Sequence, residues 1–251
     1  MSELDDLRKR IQDLEAENAR LKAEEATYRQ NIESLVQART EQLQTAMVNL
    51  ERSFDITLEA LGDALDLKEA STEGHSRRVT LFTIGIAQAM GLPREQIALF
   101  ARGAFLHDIG KMAVPDAILR KPDKLTPEER EVMNEHPFRG YQMIRNIPFL
   151  MEAAEIVYSH HERFDGTGYP RCLRGEQIPL GARVVAVANT LDSITSDLPY
   201  RPRRSLSAAR EEIRRWSGRQ FDPEIVNAFL RMPDKIWEDL RREVAAQGQS
   251  K

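Results

Sequence analysis

The 251-residue sequence predicts an all-α protein, in which a long N-terminal coiled-coil helix leads into a helical bundle. Three observations carry this reading. Apolar residues recur at alternating three- and four-residue steps from Leu4 onward. Helix start and stop signals punctuate the remainder. No alternating apolar–polar run of the kind that makes a half-buried strand occurs anywhere.

The first element follows from the heptad pattern. Leu4, Ile11, Asn18, Glu25 and Ile32 fall at a, and Leu7, Leu14, Leu21, Tyr28 and Leu35 at d, with Glu, Lys, Arg and Gln between them. No Gly or Pro precedes Gly62. An Asn at a, here Asn18, favours a parallel two-stranded register, and a lone helix of this kind is marginal in water, so a homodimer through this segment is expected. The seam weakens after Leu35, where Arg39 and Gln42 take the next core positions. The stretch 37–43 resembles the signalling helices that join sensor or receiver domains to output domains, so a sensor or receiver partner is a further expectation.

From Phe54 the composition turns more apolar, with stripes at Leu58, Leu61 and Leu65 and at Val79, Phe82 and Ile86. Gly91-Leu92-Pro93 ends one helix and starts another that runs to His107. Thr126-Pro127-Glu128-Glu129 reads as a capped helix start. Residues 164–179, rich in Gly, Pro and charge, read as a long functional loop. Helices are expected over 180–194, 205–216 and 223–232, the last capped by Asp222. The expected organisation is residues 1–53 as coiled coil, 54–235 as the helical domain, and 236–251 as a C-terminal helix and tail.

Bulk composition excludes several classes. A net charge of −4 gives no general attraction to DNA. One cysteine, Cys172, excludes an internal disulfide framework and suits the cytoplasm. No apolar stretch approaches membrane-spanning length, and the first six residues lack the basic start and apolar core of a secretory signal.

Function is legible in the histidines. All five lie between His75 and His161, as G-H-S (His75), H-D-I-G-K (His107, Asp108), E-H-P (His136) and H-H-E (His160, His161). Imidazole and carboxylate are preferred donors for divalent transition metals, and helices that present such side chains inward are a standard way to build a dinuclear site. One adjacent histidine pair and one His-Asp pair are better explained by a site for more than one ion than by scattered surface histidines.

These residues resemble the HD-GYP branch of the HD phosphohydrolase superfamily. The likeness continues through Asp165-Gly166-Thr167-Gly168-Tyr169-Pro170, Gly175-Glu176-Gln177-Ile178-Pro179 and Pro199-Tyr200-Arg201, and spans about residues 54–232. It implies an HD-type helical bundle that binds cyclic di-GMP or a related nucleotide and hydrolyses cyclic di-GMP to linear pGpG, with GMP as an open further product, using two divalent ions (Fe, Mn or similar). It implies that His75, His107 and Asp108 hold one ion, and that Asp108 bridges to a second held by His136, His160 and His161. Asp108 and Lys111 are the implied catalytic residues. Lys111, Gly168, Tyr169, Pro170 and Arg201 are the implied substrate contacts.

The sequence departs from the family pattern at three places. Asn189 stands where the pattern has a metal-binding Asp, and a neutral amide holds a cation less tightly. Asp192, one turn on, is a candidate replacement. Leu198 stands where an arginine is expected to grip the nucleotide, leaving Arg201. Ser71 stands where some members carry an extra Glu ligand, which argues for two ions rather than three. Two other readings fit the same residues: a degenerate module that binds nucleotide or partner proteins without turnover, and a phosphohydrolase for another nucleotide.

Overall fold

The computed structural model describes residues 3–69, 74–197 and 202–248. It divides into two compact units, the first ending at Thr57 and the second beginning at Leu58. The first unit is helix throughout. It is the greater part of α1 (Glu3–Glu69), with Glu3, Asp5 and Asp6 in its first turn, where acidic side chains complement the helix dipole. The apolar side chains of the heptad seam are exposed along its length.

Among the described residues, the second unit is built from the end of α1 and ten further α-helices: α2 (His75–Ala89), α3 (Arg94–Phe105), α4 (Asp116–Leu119), α5 (Pro127–Asn134), α6 (His136–Ile144), α7 (Met151–Ser159), α8 (Leu180–Thr195), α9 (Leu206–Arg215), α10 (Pro223–Arg231) and α11 (Asp234–Gly248). Among the described residues the only β feature is an isolated bridge between Ser217 and Phe221, so the all-α expectation holds. The punctuation read from the sequence acts as expected. Pro93 precedes α3, and Thr126 caps α5 in a reciprocal pair with Glu129. Ser205 and Asp222 cap α9 and α10 by accepting from Ala208 and Glu224 backbone N–H groups.

Two apolar clusters flank the histidines. The larger one gathers Val79, Phe82 and Ile86 of α2, Phe100 of α3, Val184, Val185 and Leu191 of α8, and Phe229 and Trp237 from α10 and α11. Trp237 meets Phe82 edge to face at 5.6 Å, so α11 packs into this core. The smaller cluster joins Leu58, Leu106, Ile109, Ile144, Leu150 and Val157. Close helix approach depends on small residues. A Cβ on Gly103 would lie 2.8 Å from the Ile156 side chain, and one on Gly181 would lie 2.4 Å from it. Thus α3, α7 and α8 meet at Ile156.

One stripe departs from expectation. Leu58 and Leu65 are buried, but Leu61 is 45% exposed. Gly62 takes its place on the packed face, because a Cβ there would lie 2.5 Å from the Phe105 ring. On a 3.6-residue helix, residues 58, 62 and 65 span about 60°, the same width as 58, 61 and 65, so the packed face is turned toward Gly62 rather than toward Leu61.

Candidate metal centre

Every histidine of the motifs sits at a helix terminus, where the backbone can turn several side chains toward one point. His75 opens α2, directly after Gly74 in the left-handed region (φ 76°). His107 and Asp108 follow the end of α3 and lead into a short 3-10 turn, Ile109–Ala113. His136 opens α6 with Pro137 behind it. His160 and His161 follow the last residue of α7. Gly110 brings two of these termini together. A Cβ there would lie 1.9 Å from the His136 carbonyl oxygen and 2.5 Å from the Gly140 nitrogen, so only glycine lets the turn after Asp108 abut α6.

Asp108 is the hub. Its Oδ2 lies 3.1 Å from His107 Nε2 and 3.8 Å from His75 Nε2, and its Oδ1 lies 3.3 Å from His136 Nε2 and 3.7 Å from His160 Nε2. Two overlapping donor sets result, each with its ligand atoms within 4.8 Å of one another: His75, His107 and Asp108; and Asp108, His136, His160 and His161. Asp108, His107, His136 and His160 are buried.

The opposite ring nitrogens fix the chemistry. Nδ1 of His107, His136 and His160 lies 2.7 Å from the backbone carbonyls of Ala104, Met133 and Val157, each three residues earlier. His75 Nδ1 lies 2.7 Å from Asp192 Oδ2. Carbonyls and carboxylates only accept, so each Nδ1 carries the proton and, in the neutral ring, each Nε2 presents a bare lone pair. Burial pulls the His136 and His160 pKa values below the ordinary 6.5, and His161 falls well below it for the same reason, so these rings are neutral near pH 7.

At Asp108, burial is the largest influence and pushes the pKa up. His107 and Lys111 together outweigh it and hold the carboxyl well below 3.8. An ionised carboxylate therefore faces the Nε2 atoms of four histidines whose Nδ1 atoms are tied to acceptors. His136 and His160 present theirs to each other at 3.2 Å, and His107 Nε2 is buried without a hydrogen-bond partner. Acceptors facing acceptors in a buried place are unfavourable unless a cation lies among them. The donor set, and the carbonyls and carboxylate behind it, fit divalent metal ions.

The predicted site residues are distributed as follows. Lys111 Nζ lies 2.7 Å from Asp108 Oδ2, at the edge of the centre. Tyr169 stacks on His161, with ring centroids 4.8 Å apart and planes 14° from parallel. Burial raises the Tyr169 pKa to about 12, so it stays a neutral phenol. Gly168 permits that stack, since a Cβ would lie 2.3 Å from the Arg163 nitrogen and 2.5 Å from Glu162 Cα. Pro170 continues the same loop through a cis peptide bond. Asn189 is half-buried on α8, three residues before Asp192. Ser71, Leu198, Pro199, Tyr200 and Arg201 lie outside the described residues.

Asp192 does not serve as a replacement ligand. Its Oδ1 accepts from Arg78 Nε at 2.6 Å and Ser196 Oγ at 3.0 Å, and its Oδ2 is held by His75 and by Arg78 Nη2. Burial raises its pKa, but His75 and Arg78 more than offset this and bring it to about 2. Its role is to orient His75.

Further participants have no role assigned from the sequence. Arg78 lies one helical turn after His75, a spacing that puts both on one face of α2. Glu162 is buried and accepts from the backbone nitrogens of Arg171 (2.7 Å) and Leu173 (3.1 Å), which ties the loop to the His160–His161 terminus. Phe138 and Tyr158, with Tyr169, Pro170 and Arg139, line a groove of about 470 Å³ on the Tyr169 side of the centre. No sequence spacing signals that groove, because its walls come from α5, α6, α7 and the loop.

The family model described as HD domain matches residues 59–225. A cyclic di-GMP phosphodiesterase of Thermotoga maritima is 40% identical over 188 residues, which cover 74% of this chain and 51% of that protein. The cyclic di-GMP phosphodiesterase response regulator RpfG of Xanthomonas campestris pv. campestris is 38% identical over 193 residues, 76% of this chain and 51% of that one. A 3'3'-cGAMP-specific phosphodiesterase 2 of Vibrio cholerae is 34% identical over 192 residues, 76% of this chain and 37% of that one. The chain thus spans about half the length, or less, of these relatives. The crystal structure of the V. cholerae cyclic GMP-AMP specific phosphodiesterase V-cGAP3 shares the fold, with a TM-score of 0.57 at 20% identity over 74% of this chain and 52% of that one. The histidine and aspartate motifs converge on one buried point in a bundle of this fold, and the chain belongs to the HD domain family, in its HD-GYP branch.

Proposed function

We propose that the chain is a metal-dependent phosphodiesterase that opens cyclic di-GMP to linear pGpG and, by a second cut, releases GMP. The observation that carries this reading is Asp108, whose two carboxylate oxygens each face a separate group of imidazole Nε2 atoms. In this reading His75, His107 and Asp108 hold one divalent ion, of the iron or manganese kind, and Asp108, His136, His160 and His161 hold a second. Such ions supply Lewis acidity and an activated water near neutral pH.

The chain's own residues do the rest. Lys111 directs its ammonium group to a non-bridging oxygen of the phosphodiester. Asn189 adds a neutral amide beside the first donor set. Gly168, Tyr169 and Pro170 form the wall against which the nucleotide lies, and Arg201 meets its second phosphate. The reaction adds the water's hydroxyl to phosphorus and its proton to the departing ribose oxygen. A nucleotide substrate and a single cysteine suit the cytoplasm.

Cyclic di-GMP is preferred as substrate because relatives at 38–40% identity carry that activity in their names, while those named for 3'3'-cGAMP stand at 31–34%. The Asp-to-Asn change at position 189 favours a second reading, in which nucleotide is bound without turnover. Turnover of cyclic di-GMP, 3'3'-cGAMP and a generic aryl phosphodiester by the Mn(II)-loaded chain separates the two readings. Formation of pGpG at a rate at least tenfold above the other dinucleotide supports the proposal. Binding of cyclic di-GMP with no product, or faster cleavage of 3'3'-cGAMP, overturns it.

A further inference from the structure

Among the described residues, the apolar side chains of the α1 seam are exposed. From Leu4 to Leu35 its side chains are between 43% (Ile32) and 71% (Tyr28) exposed. We propose that a second copy of this chain covers it, parallel and in register, and that the charges flanking the seam select that arrangement over its competitors. This inference does not depend on the catalytic reading.

With Leu4 and Ile11 at a and Leu7 and Leu14 at d, the g positions are Glu3, Arg10, Glu17 and Glu24, and the e positions are Arg8, Glu15, Lys22 and Arg29. In a parallel, in-register pair each g side chain faces the e side chain five residues later on the partner. The facing pairs are Glu3 with Arg8, Arg10 with Glu15, Glu17 with Lys22, and Glu24 with Arg29, and every pair joins opposite charges. A slip by one heptad sets Glu3 against Glu15 and Arg10 against Lys22 on one flank, and Arg10 against Arg8 and Glu17 against Glu15 on the other. An antiparallel pair sets g against g and e against e. Three of the four g residues are acidic and three of the four e residues basic, so like charges then meet. The wrong arrangements are thus penalised as well as the right one favoured.

The seam also continues past the polar pair Arg39 and Gln42, displaced by one residue. Val36, Leu43 and Leu50 take d, and Met47 and Phe54 take a, in the new frame. Leu43, Met47 and Leu50 are 66%, 63% and 55% exposed. A straight α-helix drifts about 20° per heptad against a strict seven-residue repeat, hence about 100°, one residue, over five heptads. The extra residue restores the phase, so both halves of the seam lie on one face of a straight helix.

Sedimentation of the full chain tests the charge pattern. Glu17→Lys with Glu24→Lys should weaken the dimer by about tenfold or more, since opposite-charge pairs become like-charge pairs. Adding Lys22→Glu and Arg29→Glu should restore it to within about threefold of the parent, by the same pairing. An unaffected double variant, or a quadruple variant that stays weak while its helix content matches the parent, overturns the proposal. In a Cys172→Ser background, Leu14→Cys should oxidise to a disulfide between the same position of two copies, and failure to cross-link overturns the parallel register. In the second half, Leu43→Gln should weaken the dimer and Gln42→Leu should not strengthen it. The reverse pattern overturns the displaced frame.

Discussion

At the residue scale the centre is a set of tautomers held in place. Three backbone carbonyls and Asp192 each accept a hydrogen bond from the Nδ1–H of one histidine, which turns four Nε2 atoms toward Asp108. The histidines and Asp108 were readable in the sequence because their residue types and motifs state their chemistry. The carbonyl partners were not, because they depend on each histidine capping or starting a helix rather than on any side chain. Asp192 was read as a spare ligand, yet its oxygens are spent on Arg78, Ser196 and His75, and only packing of α2 against α8 reveals this. Asn189 therefore has no carboxylate deputy in Asp192. We expect Asn189→Asp to tighten divalent-metal binding by at least about tenfold, the lower end of what even outer-shell changes produce. Mn(II) titration of the apo-proteins checks it, and equal affinities for the two versions would show that position 189 does not reach the ion. Glu162 makes a second residue-scale prediction. Glu162→Ala removes the acceptor of two part-buried backbone N–H groups, at up to about 1–3 kcal/mol each. Amide exchange at Arg171 and Leu173 should then accelerate about tenfold or more, while Glu162→Gln, which keeps one acceptor, should restore at most one of the two.

At the element scale the bundle is a device for bringing helix ends together. The caps and breaks at Pro93, Thr126, Ser205 and Asp222 were legible because each satisfies or removes a local backbone donor, a matter of neighbours in sequence. The close approaches were not legible. Leu61 looked like the middle of a stripe, but Gly62 holds that place because Phe105, far along the chain, presses against it. Gly110 is the more consequential case. A Cβ there collides with backbone atoms of α6, which cannot rotate away as a side chain would. Gly110→Ala should destabilise the second unit by about 3 kcal/mol, at the upper end of overpacking costs, and should lower metal content by moving His136 away from Asp108. Thermal unfolding with metal analysis on the folded fraction reads both effects. A variant of parental stability and full metal load would show that α6 can shift freely past the turn.

At the scale of the whole molecule, one unit offers an exposed, charge-patterned helix and the other a buried divalent-metal centre. Fold class and family were both legible in the sequence: one from periodicity, the other from motifs that every HD-type site of this kind must place together. The groove beside Tyr169 was not, since α5, α6, α7 and a loop each contribute part of its wall. The central claim is that one carboxylate, Asp108, serves two ions. Metal content of the purified chain, measured beside that of Asp108→Ala, tests it most directly. The account predicts two divalent ions per chain in the parent, and loss of both, or near loss, in the variant. A single ion per chain in a parent saturated with metal, or an unchanged content in the variant, would contradict it.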